Sequence, residues 1–184
     1  VGRRFEPDGA HAQFFLFEGL KMKPPGEAGT IFFIHRGPVE SYLTASILQA
    51  HHASPQSDIV FLTDQPETLV PRAIRHVAAV AAMSEYSSSA ETFADAYRFD
   101  GINSYDYELM NFQRWFFVAE YCQKQQIDGP ALVLDSDAFL FLPVELVMSE
   151  LGTDQSVVDE VGPQFSFFSS PAALNAFTNY LLTI

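Results

Sequence analysis

Two carboxylates one residue apart, Asp135-Ser136-Asp137, stand at the end of the apolar run Ala131-Leu132-Val133-Leu134. Such a pair is costly to desolvate unless it meets a cation. The carboxyl ends of strands in α/β sheets are also where ligands bind. The spacing therefore points to a divalent-metal site that holds a phosphorylated ligand. Oxygen donors suit Mg2+ or Mn2+, with waters and ligand phosphates completing the coordination. In a strict strand, alternation would aim Asp135 and Asp137 to one side. The plainer alternative is a pair of loop acids capping the helix expected after Pro143. The sequence turns apolar again at once, in Ala138-Phe139-Leu140-Phe141-Leu142, so the pair does not belong to a solvated acidic tail.

Three further positions carry chemistry. Arg114 shares a helical face with Phe117, Val118 and Tyr121. A guanidinium in apolar surroundings needs an anionic partner. A phosphate or the Asp135/Asp137 site would serve, and so would a structural acid such as Glu108 or Glu120, or an escape to water. His35-Arg36-Gly37 lies between a strand and a helix start, a common place for phosphates and nucleotides; it also reads as an ordinary polar turn. Asp64 ends a second strand and could accept from a ribose or a base, or form an Asx turn before Pro66.

The elements that must position these residues follow from periodicity. Thr30-Ile31-Phe32-Phe33-Ile34 reads as a buried strand. Pro38 suits a first helical position, and Val39, Leu43, Ile47 and Ala50 recur at helical spacing to Ser54-Pro55. Residues 58–64 form the next strand, so strand, helix and strand imply a parallel βαβ unit. Residues 69–82 read as a short helix and then a strand around 76–81. Residues 84–103 read as a Ser-rich loop with a short helix. Residues 105–125 form a helix that is apolar almost all round, hence buried on several sides. Asp128-Gly129-Pro130 ends it before the 131–134 strand. A short helix over 144–151, an acidic surface loop over 152–160 and a strand over 165–169 follow. Ser170 and Pro171 then open a last helix, which runs to Ile184 without a C-cap signal. Phe14-Phe15-Leu16-Phe17 reads as an added strand or apolar plug within an N-terminal extension, residues 1–29. The remainder, residues 30–184, is one domain.

Bulk properties narrow the function. The 184 residues carry 48% hydrophobic side chains, enough for a real core. A net charge of −13 argues against nucleic acid as a partner. An anionic ligand would then need a local device such as a metal ion, an arginine or backbone N–H groups. Cys122 is the single cysteine, so an intrachain disulfide and a multi-cysteine zinc site are both excluded. With no leader pattern and no apolar run near the roughly 20 residues of a membrane span, a cytoplasmic location is expected. His51 and His52 are adjacent on a helix and point in different directions, which makes them poor joint ligands. Neither a phosphate-binding loop nor a G-x-S-x-G elbow is present.

With these motifs in place, the chain resembles the GT-A-type nucleotide-sugar glycosyltransferases. The likeness rests on Phe93, Tyr97, Asn103, Glu108, Phe112, Arg114-Trp115-Phe116 and the run from Leu134 through the D-x-D to Phe141. Ile31-Phe32-Phe33-Ile34-His35, Tyr42-Leu43, Gln49-Ala50 and the strand ending in Asp64 fit as well. The resemblance implies a three-layer α/β/α fold with a mostly parallel sheet. It implies a nucleotide-sugar donor, a UDP-sugar in preference, a carbohydrate or other hydroxyl acceptor, and Mn2+ or Mg2+ held by Asp135 and Asp137. The metal would neutralise charge on the departing nucleoside diphosphate while C1 of the sugar gains oxocarbenium character. His35, Arg36 and Asp64 would line the nucleoside pocket, with Asn111 and Ser136 completing the donor contacts. Arg114 would support the diphosphate or orient the metal carboxylates.

One departure stands out. About forty-five residues follow Asp137, without an obvious third metal ligand beyond Asp159 or Glu160, so a fold cut short at its C-terminal end is expected. Two other readings stay open. Haloacid-dehalogenase-type phosphatases also place Asp-x-Asp after a buried strand, with the first Asp as nucleophile. Their usual Thr or Val is Phe139 here, and no lysine follows Asp137. A non-catalytic nucleotide-sugar or metal-binding module is the other.

Overall fold

The computed structural model describes residues 29–151, 157–158 and 165–183. The expected plug at Phe14–Phe17 and the acids Asp159 and Glu160 lie outside the described residues.

Six strands form one sheet: β1 (Thr30–His35), β2 (Asp58–Thr63), β3 (Ala79–Ala82), β4 (Ala131–Leu134), β5 (Val157–Val158) and β6 (Phe165–Phe168). Their order is β3-β2-β1-β4-β6-β5. The β1–β2, β1–β4 and β2–β3 pairs are parallel, and β6 runs antiparallel to both β4 and β5. The helices are α1 (Ser41–Ala53), α2 (Arg72–Val77), α3 (Ser88–Ala96), α4 (Tyr105–Gln125), α5 (Val144–Leu151) and α6 (Pro171–Leu181).

Alternation along the strands sorts the core into two layers. Ile31, Phe33, Ile59, Phe61, Leu132 and Leu134 face Leu43, Ile47 and Ala50 of α1, Ile74 of α2 and Val144 of α5. Phe32, Val60, Leu62, Ala131 and Val133 face the other way, onto Phe93 of α3, Trp115, Phe116 and Val118 of α4 and Leu174 of α6. The result is the expected α/β/α sandwich with a mostly parallel sheet. Each fully buried Phe, Ile or Leu removed from water contributes about 1.5–3 kcal/mol.

Helix α4 is the spine of its layer. Ser104 caps it, accepting from the Tyr107 N–H at 3.4 Å. Every residue from Gln113 to Cys122 is buried. Gln126 closes the helix in the left-handed region at φ 56°, its N–H returning to the Cys122 and Gln123 carbonyls. Aromatic pairs, Phe93 with Phe116 at 4.9 Å and Trp115 with the partly buried Phe177 at 5.0 Å, knit α3, α4 and α6 together.

Some expectations on element boundaries need correction. Helix α1 begins at Ser41 and not at Pro38. The cause is the loop after β1. Gly37 sits at φ 101° and the Pro38 carbonyl accepts from His35, so the chain runs on before it can coil. The third strand covers Ala79–Ala82, with His76 inside α2. The Ser-rich stretch contains nine-residue α3, whose Ala90 and Phe93 are buried. Within the segment expected to be an acidic loop, Val157–Val158 pairs with β6. The last helix ends at Leu181, where the Leu182 N–H bonds back to Thr178 and Tyr180.

Candidate functional site

The strand order places a topological switch point between β1 and β4. From β1 the chain crosses through α1 to β2 on one side, while β4 arrives on the other side from α4. Loops diverge there, and a crevice opens beyond the strands' carboxyl ends. A cavity of about 460 Å³ occupies that position. His35 and Arg36 line it from the end of β1, Asp135, Ser136 and Asp137 from the end of β4, and Tyr42 from α1. Asp106, Tyr107, Met110, Asn111 and Arg114 line it from α4.

The D-x-D lies just past β4, in a tight turn. The Ala138 N–H donates to the Asp135 carbonyl at 3.0 Å. Strand alternation therefore does not apply to Asp135 and Asp137. The turn, not the pleat, brings both to the cavity. They differ in environment: Asp135 is partly buried and Asp137 is exposed.

Arg114 settles on one of its possible partners. One Nη bonds and ion-pairs with Asp135 Oδ1. Its Nε donates to the Asn111 carbonyl at 3.0 Å, and its other Nη donates to Asn111 Oδ1. The guanidinium is thus fixed within its own helical turn and offered to the strand end. The structural acids are engaged elsewhere. Glu120 pairs with Lys124 at 2.8 Å, and Glu108 accepts from Asn103 at 2.9 Å.

Electrostatics at Asp135 follow from this geometry. Burial is the largest influence and pushes its carboxyl up. The Arg114 charge and hydrogen bond pull it down, and the negative charge of Asp137 pushes it up again. The net result is a pKa above the ordinary carboxylate value. The two crowded carboxylates carry more charge than the Arg114 guanidinium alone offsets, and a further cation would relieve it.

The remaining sequence-predicted residues separate. His35 Nε2 donates to the Pro38 carbonyl at 2.9 Å, which fixes that tautomer. The ring remains on the cavity wall. Arg36 is exposed beside it. Asp64 is not among the lining residues; it braces the loop that carries His35 and Arg36. Its Oδ1 accepts from the Gly37 N–H at 2.8 Å and from Gln65 Nε2 at 3.0 Å. Burial pushes the Asp64 carboxyl up, but these hydrogen bonds and the Arg36 charge outweigh it, and the net shift is downward.

Sequence reasoning passed over Asp106, Tyr107 and Met110. A signal was available: 107, 110, 111 and 114 follow i, i+3, i+4, i+7 spacing and share a helix face with Arg114. A larger cavity of about 700 Å³ between α4 and α6 shares no residue with the D-x-D cleft.

The chain has the GT-A-like α/β architecture of nucleotide-sugar transferase folds. Among the solved structures it resembles is the crystal structure of mouse xyloside xylosyltransferase 1 in its apo form. The TM-score is 0.59 at 9% identity, over 85% of this chain and 72% of that one. At that identity the likeness establishes the fold. No protein-family model and no curated protein sequence matches the chain.

Proposed function

We propose that this chain is a glycosyltransferase that moves a sugar from a nucleotide-diphosphate donor to an acceptor hydroxyl. The observation that carries the reading is the D-x-D turn at the switch point, with Asp135 anchored by Arg114 and Asp137 left exposed. The donor set fits a hard divalent cation. The Asp135 and Asp137 carboxylates would hold Mn2+ or Mg2+. No cluster of three or more His, Cys, Asp or Glu side chains suited to a metal occurs among the described residues, so water and diphosphate oxygens would complete the coordination. When bound, such an ion supplies charge neutralisation for the departing diphosphate.

The protein's own groups do the rest. Asn111 locks Arg114, and Arg114 holds Asp135 through its Oδ1 at the edge of the cavity. Arg36 adds positive charge at the end of β1, where an anionic donor would otherwise meet a chain of net charge −13. Tyr42 and Tyr107 offer aromatic surface on the two walls for the nucleoside. UDP-sugars are the donors of first choice. The pairing of Asp135 with Arg114 weighs against the phosphatase reading, because an ion-paired carboxylate is a weakened nucleophile.

The test is nucleoside diphosphate release from a panel of UDP- and GDP-sugars with Mn2+ present. Release by the wild type that falls at least about a hundredfold in Asp137→Asn supports the reading. Hydrolysis of simple phosphate monoesters with no release from any sugar nucleotide refutes it.

A further inference from the structure

The segment after the D-x-D is an aromatic shelf. Ala138 and Leu140 turn inward to the layer of α1 and α5, with Leu140 6% exposed. Phe139 and Phe141 turn outward, at 46% and 74% exposure, and Leu142 follows at 40%. The two rings are nearly parallel, 17° apart in plane, with centroids 6.2 Å apart. That separation belongs to offset stacking, so the second ring extends the surface of the first. The backbone beneath is tied to α1, where Gln49 Nε2 donates to the Leu140 carbonyl at 3.4 Å.

Exposed phenylalanines in this arrangement are unfavourable in water and call for an occupant. Position and charge identify one. Phe139 is two residues from Asp137, at most about 7 Å along the chain, and Phe141 at most about 14 Å. Anything on the shelf therefore lies near the Asp135–Asp137 turn, next to the cleft and outside its lining. An anionic occupant would meet the Asp135/Asp137 pair and a chain of net charge −13. A second copy of the chain would bring the same net charge. A neutral pyranose, by contrast, has an apolar C–H face that stacks on an aromatic ring and a rim of hydroxyls that stays in water.

We propose that Phe139 and Phe141 form the platform for a neutral glycan acceptor, one sugar ring per phenylalanine, with the ring on Phe139 presenting its hydroxyl toward the D-x-D turn. The proposal rests on the glycosyltransferase reading and deepens it.

A glycan array carrying neutral and anionic oligosaccharides tests it. Wild type, Phe141→Ser, Phe141→Tyr and the Phe139→Ser/Phe141→Ser double variant are compared. Thermal melting, sedimentation and UDP titration with Mn2+ are run on each. Because both rings are exposed, the serine variants are expected to melt with the wild type. Retention of neutral glycans by the wild type and Phe141→Tyr, reduced about tenfold or more in the double variant with UDP binding unchanged, is the expected result. Three outcomes overturn the platform: no neutral glycan retained, equal retention by the double variant, or a wild-type dimer that the double variant dissolves. Loss of UDP binding in every protein, wild type included, would instead strike the donor reading.

Discussion

Replacing Arg114 by alanine isolates the interaction that organises the site. The guanidinium side chain is 9% exposed and the Asp135 side chain 28% exposed. Breaking a fully buried pair costs about 3–5 kcal/mol, because a charge is left without compensation. Asp135 reaches some water, so about 2–3 kcal/mol is expected here at neutral pH. For a domain of this size that lowers Tm by roughly 5–10 °C. The pH dependence carries a definite sign. Without Arg114, only burial and the Asp137 charge act on Asp135, and both raise its pKa. A carboxyl raised in the folded state penalises folding above its folded pKa. The penalty fades as pH falls toward the unfolded value, about 3.9. Urea denaturation of wild type and Arg114→Ala between pH 7 and pH 4 reads this directly, with Asp135→Asn and the double variant closing a cycle. The defect should shrink toward acid and should be smaller in the Asp135→Asn background. A defect below about 0.5 kcal/mol at pH 7, or one that grows toward acid, would refute the electrostatic account.

Three further outcomes follow from other parts of the structure. Cys122 is buried and its thiol is pushed up to about 12 by burial, so a thiol reagent at pH 8 should react only after unfolding; rapid labelling of the native protein would contradict this. Gly37 at φ 101° has open space around it, so Gly37→Ala should cost about 1–3 kcal/mol through backbone strain alone, read as a lower Tm; no change would mean that the loop relaxes freely. The depressed Asp64 carboxyl contributes stability above the ordinary carboxylate value, and that contribution is lost as pH falls through the folded pKa. Asp64→Ala should therefore melt below the wild type at pH 7, with the gap narrowing once pH falls below the ordinary carboxylate value, and a gap that widens toward acid would contradict the sign.

What the sequence made legible divides along physical lines. Strands β1, β2 and β4 are continuous apolar runs because both faces of a central parallel strand are covered, and such runs stand out against polar turns. Helix α4 was equally plain, its apolar wheel reflecting burial between α3, α6 and the sheet. Strand β3 is Ala-Val-Ala-Ala at the sheet edge, too short and too poor in β-branched residues to mark its own limits. The two-residue β5 exists only through its pairing with β6. At the site, residue types near the strand ends pointed to the cleft, yet the contacts there were not readable. The Arg114–Asp135 bond joins residues 21 apart, and the Gly37–Asp64 bond joins residues 27 apart. Each needs the strand order and register before it can be drawn. Asp64 accordingly carried both a ligand-facing and an Asx-turn expectation, and its observed contacts brace a loop.

The central claim is that the D-x-D turn holds a cation and, through it, a nucleoside diphosphate. Calorimetric titration of UDP and GDP into wild type and Asp137→Ala, each with and without Mn2+, tests it most directly. UDP is expected to bind the wild type only with Mn2+ present and not to bind Asp137→Ala. Failure of both nucleotides to bind the wild type with Mn2+, or binding that survives both removal of the metal and loss of Asp137, would contradict it.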